Sequence, residues 1–86
     1  MNSTNFSLQE DLLALSELLA NRKAATQVGT FLQRIETAPS RDQRTKWLEQ
    51  VTGYVHALHD VEMLNAEQSI LIRELITRAI MRNSFD

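Results

Sequence analysis

Three short polar signatures set the frame for this chain. Ser7 with Glu10, Ser40 with Gln43 and Asn65 with Gln68 each place a Ser or Asn three residues ahead of a Glu or Gln, just before a run of apolar residues at helical spacing. At an N-cap, such a side chain accepts from the free N–H groups of the first helical turn. The Glu or Gln can reach back to the N-cap N–H and complete a capping box. Each signature therefore predicts a helix start, at about Leu8, just after Ser40 and at about Ala66. With two Gly and one Pro in 86 residues, there is too little turn chemistry for a many-stranded fold, and the expected class is all-α.

The apolar stripes give the helices their faces. In the first segment Leu8, Leu12, Leu15 and Leu19 share one face with Leu18 at its edge, while Asp11 intrudes and Leu13 points elsewhere. From Ala24 onward, Ala24, Val28, Phe31 and Ile35 recur on a face rotated by nearly half a turn, with Leu32 on its flank. The phase changes at Asn21-Arg22-Lys23. Either a helix ends there, or one continuous helix buries its halves against different neighbours. Continuity is the expectation, because neither Arg22 nor Lys23 is a good N-cap and every residue from Leu8 to Glu36 except Gly29 is acceptable in a helix.

Thr37-Ala38-Pro39-Ser40 is the clearest boundary, since Pro39 biases Ala38 away from the helical region. The next helix carries the cleanest core stripe, Trp47, Leu48, Val51, Tyr54, Val55 and Leu58, with Gly53 opposite. His59 to Leu64 reads as a connector in which Val61 and Leu64 tie back to the core. In the last helix Ile72, Leu75, Ile76, Ala79 and Ile80 form the core sector, flanked by Leu71, with Glu67, Glu74 and Arg78 opposite. Ile70, Thr77 and Met81 make a second apolar strip that this core face does not use.

The predicted architecture is an antiparallel bundle of three helices, or four if the first breaks near Asn21. It forms one domain over residues 8–83, after a disordered leader at 1–7 and before a frayed end at 84–86. A chain this short buries only about 60–65% of its extended surface. A long helix with its halves buried on opposite sides suits a homodimer, so self-association is expected.

Composition narrows the function. The formal charge is −2 with the signs interleaved, so no basic stripe exists to neutralise a row of phosphates, and direct nucleic-acid binding is not expected. No apolar run approaches the roughly 18 residues of a membrane span, and the polar leader lacks a signal layout, so a cytoplasmic location is expected. With no Cys there is neither a disulfide framework nor a thiolate metal site.

Candidate chemistry is sparse. His56, His59 and Asp60 are metal-ligand types at helical spacing, yet that spacing is equally that of a solvated helix face; no metal or cofactor is expected. Ser7 and Ser40 read as caps. The pairs Glu10 with Asp11 and Asp60 with Glu62 are not spaced to share one pocket. Trp47 and Tyr54, seven residues apart on a core stripe, read as packing.

Two resemblances bear on function. The stretch Glu17-Leu18-Leu19-Ala20-Asn21-Arg22-Lys23, with Val28-Gly29 beyond it, resembles the first helix of the small all-helical chorismate mutases. The order of a long helix, a Pro-containing loop and two shorter helices is similar too. The resemblance implies Arg22 as a substrate-binding Arg, but Gln33 stands where that family has Lys, and Arg44-Thr45 where it has Arg-Glu. The same helix order is similar in layout to small bacterial regulators of the Hha and AriR kinds.

The functional expectation is a small non-enzymatic interaction module, a bacterial-type regulator, adaptor or inhibitor. It would dock an amphipathic helical surface on a protein partner or on itself. The expected contact residues are Ile70, Thr77 and Met81, with Leu13 and Phe31. A chorismate mutase-like enzyme or degenerate relative, with Arg22, Gln33 and Arg44 converging, is one alternative. A subunit or chaperone of a larger assembly is another.

Overall fold

A computed structural model describes residues 7–83. They form four helices, α1 Leu8–Leu18, α2 Arg22–Thr37, α3 Arg41–Asp60 and α4 Ala66–Arg82, with no strand among the described residues. The protein is all-α. Of the expected leader, residues 1–6 lie outside the described residues, as does the expected frayed end at 84–86; Ser7 is the N-cap of α1.

The caps work as their chemistry dictates. At Ser7 the hydroxyl accepts the Glu10 N–H at 3.1 Å, while the Glu10 carboxylate accepts the Ser7 N–H at 2.8 Å. The Asn65 and Gln68 pair does the same at 2.8 and 2.9 Å. Ser40 accepts the Gln43 N–H at 3.2 Å.

The continuous first helix expected from the sequence is two helices. Asn21 sits in extended backbone, φ −79° and ψ 112°, and its side-chain oxygen accepts the Ala24 N–H at 2.9 Å. The weak capping power of Arg22 and Lys23 is beside the point, because Asn21 itself caps α2. α1 folds back on α2, so the two out-of-phase stripes meet each other within one chain, with Leu15 and Leu19 buried, Leu8 half-buried and Leu12 left 36% exposed. Gly29 brings them close. A Cβ on Gly29 would lie 2.7 Å from a terminal methyl of Leu12.

α2 is the hub. It packs extensively against the other three helices; α4 also reaches all three but meets α1 and α3 only thinly, and α1 and α3 do not pack on each other. Leu15, Val28, Leu32, Ile35, Val51, Ile72 and Ala79 are essentially sealed from solvent around it. Trp47, Leu48, Tyr54, Ile76 and Ile80 close the edges as partly buried groups. Gly53 has no heavy atom within 4 Å of where its Cβ would stand, so it is a surface glycine and no helix approaches it.

α4 closes the ends of two other helices. The Asn83 amide donates to the carbonyls of Ile35 at 2.7 Å and Ala38 at 3.1 Å and so closes the end of α2, where the Ile35 carbonyl otherwise takes only a long bond, 3.4 Å, from the Ala38 N–H. Gln68, whose amide oxygen completes the α4 capping box, donates with its amide nitrogen to the Leu18 carbonyl at 3.0 Å and so closes α1.

The connector starts later than its sequence reading, since His59 and Asp60 belong to α3, and one of its two expected anchors fails. Leu64 is buried, but Val61 is 65% exposed. Glu62 is left-handed at φ 64°, the Met63 N–H bonds back to the Leu58 carbonyl at 2.8 Å and the Glu62 N–H to His59 at 3.0 Å. That is a Schellman turn, and it reverses the chain so that Leu64 returns while Val61 stays outside.

Candidate docking surface

An ion network around one buried carboxylate fixes which faces of α1 and α4 remain outside. Asp11, the residue that intrudes on the α1 stripe, is 1% exposed. It accepts from Arg78 at 3.1 Å and Arg82 at 2.8 Å; Arg82 also holds Glu36 of α2 at 2.8 Å. Burial works against the Arg82 charge, but its hydrogen bonds to Glu36 and Asp11 outweigh that and hold its pKa above the ordinary guanidinium value. The network ties α1, α2 and α4 together at one end of the molecule. It turns the opposite faces of α1 and α4 outward.

Those outward faces carry most of the expected contact residues. Leu13 is 63% exposed, Ile70 57% and Met81 76%, and Thr77 is exposed. On α4, Ile70, Thr77 and Met81 share a narrow strip opposite Ile72, Leu75 and Ala79. With 1.5 Å rise per residue the strip runs about 16 Å. The Thr77 hydroxyl donates to the Arg73 carbonyl at 3.0 Å, so its hydrogen bond is satisfied within α4. Leu13 stands on the outer face of α1.

Phe31 is corrected. It is 6% exposed and belongs to the core, its ring 6.1 Å from that of Tyr54 at a tilt of 50°. On α2, a helix wrapped from several sides, an aromatic just off the centre of the stripe is covered by the next helix.

The residues of the chorismate mutase resemblance divide. Arg22 and Gln33 both line a groove of about 500 Å³ between α1 and α2, whose floor includes Gly29 and Ala25. They stand eleven residues apart on α2, about 16 Å by helical rise. Arg44 is not among the groove's lining residues; it lies on α3, which does not touch α1. His56 and His59 are exposed on α3, and among the described residues no group of three His, Cys, Asp or Glu is placed to hold a metal ion. No helix among the described residues is long and apolar enough to cross a membrane.

Sequence reasoning missed the Asp11 network and the second role of Gln68. A signal existed for the first: an acid on a core stripe needs a buried cation, and Arg78 with Arg82, four residues apart, offers two on one flank of α4. Fold and surface together define a small four-helix protein with an aliphatic outer strip. Compared with protein-family models, with curated proteins and with solved structures, the chain has no match to any of them.

Proposed function

We propose that this chain is a small non-enzymatic interaction module, a bacterial-type regulator, adaptor or inhibitor that acts in the cytoplasm. It docks the outer strip of α4, Ile70, Thr77 and Met81, with Leu13 of α1 as a flanking contact, on a protein partner or on a second copy of itself. The observation that carries this reading is the exposure of Ile70 and Met81, 57% and 76%, on the side of α4 turned away from its own core. Single exposed aliphatics are ordinary on protein surfaces. Two on one strip, with a helix-satisfied Thr between them, make a ridge of the kind that amphipathic helices seat in a groove.

The test is Met81→Glu. Sedimentation of the pure chain measures self-association, capture from native lysate measures partner binding, and circular dichroism measures folding. The expected result is weaker association at unchanged helicity, because Met81 touches little of its own core. Unchanged association in both assays, or loss of helicity along with binding, overturns the reading.

A further inference from the structure

α3 and α4 touch over a short length only and leave a cleft of about 270 Å³ between them. That lies just below the roughly 300–1,000 Å³ of drug-sized pockets, so the cleft suits a group the size of a side chain. Its polar lining is His56 and His59 from α3 and Ser69 and Arg73 from α4. Arg73 carries only donors, the hydroxyl can donate, and each imidazole has at least one N–H to give. No carboxylate lines the cleft; Asp60 and Glu62 face an adjoining pocket at the connector, which His59 also borders. Among the described residues Arg73 forms no ion pair.

Ser69 adds an independent observation. Its hydroxyl oxygen is closed off from solvent and has no hydrogen-bond partner, an uncommon and costly state for a polar atom in a folded protein. A rotation about its χ1 would carry the hydroxyl from the wall into the cleft, where an entering acceptor would satisfy it. The rest of the wall is aliphatic, supplied by Val55, Ala66 and the exposed Ile70. Donors at one side and aliphatic carbon at the other describe a ligand with an anionic head and a short apolar stem.

We propose that the α3–α4 cleft binds a side-chain-sized organic carboxylate, its oxygens held by Arg73, Ser69 and the two imidazoles and its stem by Val55, Ala66 and Ile70. The ligand is either a free short-chain acid or the acidic side chain of a docked protein. The site shares Ile70 with the docking strip but is centred on other residues, and Met81 lies eleven residues from Ile70, about 16 Å along α4. Met81→Glu therefore leaves the cleft intact, and either reading can fail without the other.

The experiment is an amide chemical-shift titration of the whole chain with hexanoate, with hexylamine as a control of equal stem and opposite charge, and with a short amphipathic Leu/Glu peptide. Hexanoate is expected to shift Ser69, Ile70, Arg73 and His56 saturably, and hexylamine is not. Arg73→Gln, a change at an exposed position, is expected to weaken binding about tenfold while the unfolding midpoint holds. A peptide that binds more tightly than hexanoate and depends equally on Arg73 identifies a partner's side chain as the source; equal affinity identifies a free acid. Both outcomes uphold the site. Hexylamine matching hexanoate, an Arg73→Gln variant that binds normally, or no saturable shift up to about 10 mM of either acid overturns it.

Discussion

α2 and α4 are nearly equal in length, and the one with fewer large aliphatic residues is the centre of the fold. α2 buries Ala24, Val28, Gly29, Phe31, Leu32 and Ile35, a set spread over more than one face, because Ala and Gly let neighbouring backbones approach from several sides. α4 buries only Ile72, Leu75 and Ala79 fully, and leaves Ile70 and Met81 to solvent. Centrality in a small bundle thus depends on how closely neighbours can approach as much as on the number of aliphatic side chains. The surplus on α4 is available for something outside the chain.

The sharpest test of that contrast is a pair of truncations. Leu32→Ala opens a cavity at the hub, where the side chain has no exposure, and is expected to cost about 2–5 kcal/mol in urea unfolding. Ile70→Ala removes a side chain of similar size from α4 and is expected to change stability by less than about 0.5 kcal/mol. If the two losses are comparable, the strip is core in solution and the contrast is wrong.

Much of this was legible from the residues. The three caps and the Pro39 boundary located the starts of α1, α3 and α4, since a cap depends on neighbours three residues apart. Exposure of Leu13, Ile70 and Met81 followed from the wheel. The break at Asn21 was not legible in the same way, because Asn serves equally as a helix C-terminus and as an N-cap, and only the chain reversal decides. Phe31 was misplaced because a wheel gives the angle of a side chain but not how many helices stand around it. The Asp11 network and the reach of Gln68 to Leu18 join residues at least 46 positions apart, beyond any local pattern.

The next effect in size probes how α4, thinly packed on α1, is held there. Asp11→Asn keeps the shape and removes the charge that Arg78 and Arg82 share. Breaking a fully buried pair costs about 3–5 kcal/mol; here both guanidinium groups retain some access to water and Arg82 keeps Glu36, so about 2 kcal/mol is expected. The readout is the urea midpoint together with earlier amide exchange in α1 than in α2. Exchange that accelerates equally in both helices would mean the network holds the whole bundle and not the α1–α4 seam.

Asn83→Ala asks what the far end of α4 does for the hub. The variant removes the side-chain donor from both carbonyls, leaving Ile35 with only the long bond from the Ala38 N–H, and water can replace only part of the loss, so about 1 kcal/mol is expected. Amides in the last turn of α2 should exchange faster, with those around Val28 unchanged.

The smallest effect has the opposite sign and lies where the chain enters α4. Glu62 holds φ 64° in a Schellman turn, a conformation that costs a residue with a Cβ about 1–2 kcal/mol and glycine almost nothing. Glycine also loses more freedom on folding, which offsets roughly half of that gain. Glu62→Gly is therefore expected to stabilise the fold by about 0.5–1 kcal/mol, read as a higher urea midpoint at unchanged slope. Since Glu62 is exposed, no lost packing competes with this gain. A destabilised variant would show that the Glu62 side chain makes a favourable interaction at the connector large enough to outweigh its backbone strain, and the delivery of α4 would then depend on that side chain more than on the turn.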